Sequence, residues 1–179
     1  MVQSDEAAQT VARGPRAVTR RPLHNEDWGF DSNCFVCEPR NDGGLRIPFD
    51  HDEGTGTVVA TFSLSERFSG APSYVHGGVS LAVLDEAMAW ATIAVGRKFA
   101  VTVETTTRFL HPVLVGRSYS VEARLTSQSE ERIDTAAEIR DANDKVCAAT
   151  TATFAVLGAA QAVRATGADE SALDPSYLR

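Results

Sequence analysis

A chain of 179 residues that is 43% hydrophobic and 23% charged, with a formal net charge of -7, has the composition of one globular domain of ordinary size. This balance excludes a wholly disordered chain and a fibrous repeat, and the acidic surplus leaves no general basic surface for nucleic acid. Three cysteines, an odd number, without a secretory leader predict a reducing compartment, with the cytoplasm as the location.

In chain order, residues 1–26 are polar and carry Arg13, Arg16, Arg20 and Arg21 with no apolar run behind them, so they predict a mobile tail and neither a secretory nor a twin-arginine signal. From 28 to 48, aromatic residues mix with the turn sequence Asn41-Asp42-Gly43-Gly44. This pattern predicts a compact loop or short helix that feeds a strand starting near Leu45, which turns over 50–56 and returns as a second strand over 55–64.

Residues 78 to about 95 predict a helix. Leu81, Leu84, Met88 and Ala91 recur at helical spacing, and alanines, Val83 and Trp90 fill most of the remaining surface, so the helix is expected to be buried nearly all round. A membrane span is not expected, because Asp85 and Glu86 at its centre would each cost about 2.5–3.5 kcal/mol to insert. Four strands follow over 99–113, 117–128, 132–141 and 145–157, and their short connections predict a meander. The inventory is α+β: an antiparallel sheet wrapped around one long central helix, with a domain over 27–158 and a C-terminal tail over 159–179.

An ionised carboxylate in an apolar helix needs donors or a cation. Two readings stay open for Asp85 and Glu86: a functional site, or an ion pair with an arginine such as Arg108. Adjacent helical residues point about 100° apart, so the two acids cannot share one environment. His76-Gly77-Gly78 precedes the helix, and glycines at a helix N terminus let unpaired N–H groups approach an oxyanion, although a tight strand-to-helix turn would use the same residues. Asp85 lies seven residues beyond Gly78, about 10 Å along the axis, too far to meet a group held at its own N terminus. Two chains with antiparallel helices would bring one chain's N–H groups to the other's carboxylate, which predicts a homodimer, with a dimer of dimers as the larger assembly.

The string "PSYVHGGVSLAVLDEAMAW", with "NCFVCEPRNDGGLRIPF" before it and "TVETTTRFLHPV" after it, resembles the hotdog-fold acyl-CoA thioesterases of the PaaI-like branch over roughly residues 28–157. The resemblance implies a hotdog fold and hydrolysis of an acyl-CoA to free acid and CoA, without a metal or organic cofactor. It makes Asp85 the general base or nucleophile, Gly77 with Gly78 the oxyanion donors, His76 a group that orients the thioester or its loop, and Thr102 a hydroxyl that places water. Tyr74, Trp90 and Arg108 are the expected substrate contacts. Ser69, Gly70, Thr106, Arg108 and His111 depart from the residues more usual in the branch. A hotdog hydratase or dehydratase and a non-catalytic acyl-CoA binding module are the alternatives. Cys34 and Cys37 have zinc-ligand spacing, but Cys147, His24 or His51 would have to complete the set, and no metal is expected.

Overall fold

A computed structural model of the chain describes residues 19–179; the remainder of the expected N-terminal tail, residues 1–18, lies outside the described residues. Nine strands and two α-helices follow in order. They are β1 (Arg20–Pro22), β2 (Asp50–Asp52), β3 (Thr57–Ser63), β4 (Ser69–Ala71), β5 (Tyr74–Val75), α1 (Gly77–Ala94), β6 (Ala100–Phe109), β7 (Ser118–Gln128), β8 (Arg132–Asp141), β9 (Val146–Val156) and α2 (Ala159–Thr166). Seven strands form one antiparallel sheet in the order β1-β2-β3-β7-β8-β9-β6, and β4 with β5 makes a separate small pair.

The alternation in the long strands decides which face is the inner one. On β8, Ile133, Thr135, Ala137 and Ile139 are buried while their neighbours stand half out, and on β9 Ala148, Thr150, Ala152, Phe154 and Val156 repeat the pattern. α1 lies across this face. Its Val83, Leu84, Ala87, Met88 and Ala91 are completely buried against the sheet, each large side chain contributing about 1.5–3 kcal/mol by leaving water. The sequence-predicted helix is thus present with its N terminus one residue earlier.

Two expectations about the strands need correction. β7, β8 and β9 do form a meander, but β6 pairs with β9 and not with β7, its neighbour in the chain. The 110–117 connection is long enough to cross the sheet end, where it is held by bonds from Leu110 and His111 N–H to the Cys147 carbonyl, from Val75 N–H to Val113, and from Gly116 N–H to Leu64. The strand expected from Leu45 is shorter. Leu45 and Ile47 instead donate to the carbonyls of Phe35 and Val36, and regular pairing starts at Asp50.

The expected tails are partly structured. β1 pairs with β2, and the C-terminal segment folds as α2 and two short 3-10 turns that bury Leu157, Ala162 and Leu173 with Phe99. Phe99 N–H donates to Tyr177, and Lys98 Nζ donates to the carbonyls of Ser176 and Leu178. No helix among the described residues is long and apolar enough to cross a membrane.

Candidate active site

His76 stands at the N-cap of α1 with extended backbone angles, φ -59° and ψ 134°. Its carbonyl accepts from Val79 and Ser80 N–H, and its Nδ1 accepts the Gly78 N–H at 2.9 Å. A neutral imidazole that accepts at Nδ1 carries its proton on Nε2. The Gly78 donor, expected to serve an oxyanion, is therefore taken by the histidine. Gly77 N–H has no partner among the described residues and is exposed, so it is the donor this helix end leaves free. A Cβ at Gly78 would come within 3.1 Å of His76 Nδ1, whereas one at Gly77 would meet only the Phe109 ring at 3.7 Å.

Two turns further along, the half-buried Asp85 accepts a hydrogen bond from Thr102 Oγ1 at 2.8 Å. This contact depends on an irregularity in β6. Thr102 pairs with Phe154 but Glu104 pairs with Thr153, so Val103 is an extra residue in the ladder. Thr102 before the bulge and Thr105, Thr107 and Phe109 after it therefore all face α1, opposite buried residues of β9. Arg108 falls on the other face, opposite Ala149, and is exposed. It makes no ion pair with Asp85 or Glu86.

The other expected contacts separate. Tyr74 is 48% exposed on β5. Trp90 is buried, 5.5 Å from Trp28, and five residues beyond Asp85 it points about 140° away around the helix. Five clefts of between 230 and 450 Å³ lie elsewhere on the chain, and none is lined by Asp85, His76, Gly77 or Thr102.

The comparisons agree with this architecture. The thioesterase superfamily model matches residues 73–148, which span the helix, β6 to β8 and the start of β9. A thioesterase superfamily protein of known crystal structure is 30% identical, with a TM-score of 0.62 over 65% of this chain and 57% of that one. The PaaI protein of E. coli, from its phenylacetic acid degradation operon, is 25% identical, with a TM-score of 0.58 over 64% of this chain and 81% of its own. The chain is similar to the thioesterase superfamily, and within it to PaaI, and it shares their hotdog fold. A Streptococcus mutans protein solved with acetyl CoA shares the fold at 19% identity and a TM-score of 0.55, covering 57% of this chain and 82% of its own. No curated protein matches the sequence. The match spans 57% of the first of these relatives.

The second acid of this hotdog helix has a different environment. Glu86 forms no ion pair with any described lysine, arginine or histidine; its Oε1 lies 3.4 Å from Cys34 Sγ, and Cys37 is adjacent. Burial, followed by the neighbouring Cys34, pushes the Glu86 carboxyl up to about 8. The Cys37 thiol and the backbone N–H groups of Cys37 and Val36 pull Cys34 down, while the same thiol contact and burial push Cys37 up. Cys34 and Cys37 titrate as a pair, the proton that Cys34 gives up being held by Cys37, with Glu86 as the third member of the cluster. This third member was hidden because it lies 52 residues from Cys34.

A lowered thiol stays ionised as pH falls. In chelator and reductant, alkylation of Cys34 should remain nearly constant from pH 8 to pH 6.5, where a free cysteine loses about tenfold per unit below its usual 8.5. The buried Cys147, raised by burial, should react after Cys34. Peptide mapping by mass spectrometry reads the order, and first labelling at Cys147 would contradict it.

Proposed function

We propose that the protein hydrolyses an acyl-CoA thioester to a free acid and CoA, at sites shared between two copies of the chain. The observation that carries this reading is the Asp85–Thr102 pair on the helix whose other functional group, the free Gly77 N–H, is eight residues and about 12 Å away along the same axis. One carbonyl carbon cannot be served by both groups of one chain. An antiparallel second helix brings the partner's N–H to the carboxylate.

The sheet edge supports such pairing. β6 is an edge strand, and Val101, Val103 and Phe109 on it are 44%, 57% and 57% exposed, with Leu110 just beyond. An edge of ten residues with unpaired backbone groups and exposed apolar side chains at Val101, Val103 and Phe109 is a template for another strand, and a second β6 would continue the sheet and lay two α1 helices side by side. Changing Val101 and Val103 together to Lys should give a folded monomer with no measurable hydrolysis. Light scattering and circular dichroism check this, and a fully active monomer would overturn the shared site.

Within that site Thr102 holds Asp85 by one oxygen, and the other is free to take a proton from water as that water attacks the thioester carbon. The oxyanion that forms is met by Gly77 N–H, and its collapse expels the CoA thiolate, which leaves as the thiol once protonated. His76 fixes the loop through Gly78. Tyr74 and Phe109, beside the helix end, line the route for the acyl group, and the exposed Arg108 is placed for a phosphate of CoA. Trp90 acts through packing beneath the helix. A thiol-release screen over short, long, branched and aromatic acyl-CoAs, with Asp85→Asn as control, tests the reading; no release from any member above that control sinks it.

A further inference from the structure

The loop before β2 and the middle of α1 meet at a cluster that the proposed hydrolysis does not use. Donor atoms of Cys34, Cys37 and Glu86 lie within 4.8 Å of one another. We propose that these three side chains form a binding site for a thiophilic divalent cation, Zn²⁺ above all, with water as the fourth ligand.

Four observations carry the assignment. First, Cys34-x-x-Cys37 closes a turn in which Cys34 Sγ accepts the N–H groups of Val36 at 3.3 Å and Cys37 at 3.4 Å, so the backbone already supplies the donors that a metal-bound thiolate requires. Second, the Glu86 carboxyl is set against two sulfurs and makes no ion pair among the described residues. Once a bound cation has displaced their protons, two thiolates and a carboxylate are a charge set that a divalent ion neutralises.

Third, the size fits. Zinc–sulfur and zinc–oxygen bonds of about 2.3 and 2.0 Å in tetrahedral geometry set ligand atoms about 3.5–3.8 Å apart. Cys34 Sγ and Glu86 Oε1 stand 3.4 Å apart already, and the upper bound of 4.8 Å on the other separations closes by small side-chain rotations. Fourth, a cleft of about 270 Å³ lined by His24, Asn25, Cys37, Glu38, Arg40 and Trp90 reaches the cluster at Cys37, giving solvent entry and room for water. The sulfur-rich donor set selects zinc over magnesium or calcium. His24, His51 and Cys147, the residues that sequence spacing offered to complete the set, are not in the cluster; Glu86 takes that place.

Such an ion would clasp the loop to the helix one residue from Asp85, and it would raise stability by mass action. The inference holds whether or not the chain hydrolyses acyl-CoA. The test uses the full chain, reduced and stripped with chelator, titrated with Zn²⁺ against a chromogenic chelator and, separately, with Co²⁺. One zinc per chain, a thiolate-to-cobalt charge-transfer band, protection of Cys34 and Cys37 from alkylation, and a higher melting temperature are expected. Cys37→Ser should abolish the band, and the near-isosteric Glu86→Gln should weaken binding by at least about tenfold. Cys147→Ser should bind as the parent does. No uptake by the reduced chain overturns the site, as does undiminished uptake by Glu86→Gln, a variant that keeps the shape of the helix and so remains informative if Cys37→Ser does not fold.

Discussion

Asp85→Asn should lower kcat for acyl-CoA hydrolysis by about 10²–10⁴-fold, the usual contribution of a general base, while KM, melting temperature and oligomeric state stay close to those of the parent. The substitution is nearly isosteric. The amide oxygen of Asn can still accept the Thr102 hydroxyl that Asp85 accepts at 2.8 Å, so the helix and β6 keep their contact and only the capacity to take a proton is removed. A fall in kcat with an unchanged melting curve is therefore a chemical effect. Thr102→Val should cost less, because it releases the carboxylate without removing it. Near-parental turnover of Asp85→Asn across the acyl-CoA panel would remove the carboxylate from the mechanism.

Gly77→Pro is the second large expected effect, about 10²–10³-fold in kcat, the cost of one oxyanion donor. The geometry makes it a clean deletion of a single N–H. Gly77 is the first residue of α1, where proline is tolerated, and His76 before it has the extended angles that a following proline requires. A Cβ there faces only the Phe109 ring, at 3.7 Å. Gly77→Ala, which keeps the N–H, should retain most activity and serves as the control. Mixing Gly77→Pro with Asp85→Asn gives the decisive result: if each site takes its acid and its N–H from different chains, random reassociation restores about a quarter of parental activity, since half the dimers are mixed and each has one complete site. Two inactive variants that stay inactive after verified subunit exchange place both groups in one chain.

Much of the fold could be read from the residues because its signals are local. The α1 pattern and the period-two strands β7 to β9 are set by side chains within a few positions of each other, and β8 occupies the residues expected of it. Partner choice is not local. Alternation in "AVTVETTTRF" is the same whether the strand pairs with β7 or with β9, so the crossing of β6 to the far edge has no signature in its own residues. The alanine-rich end after residue 158 looks like a tail because its apolar residues are sparse, yet Ala162 and Leu173 suffice once Phe99 and Leu157 supply the rest of their cluster.

The site divides in the same way. Asp85, Gly77 and His76 stand out because they violate or punctuate a helical pattern within a ten-residue window. That Gly78 spends its N–H on His76 is a matter of one histidine rotamer. Glu86 beside Cys34 and Cys37 joins segments about fifty positions apart, a distance at which spacing rules for cysteine pairs carry no information.

The bulge in β6 sets where the strand can change length. Val103 has no opposite number on β9, so losing it would leave Thr102 across from Phe154 and Glu104 across from Thr153, and no side chain would change face. Losing a residue from 105 to 108 would use up the bulge and keep Thr102 and Phe109 on the inner face, but the residues between Val103 and the gap would turn over. Between the acid's hydroxyl partner and the ring beside the helix end, the chain can thus be one residue shorter with both ends in place, and a loss at Val103 itself turns no side chain over.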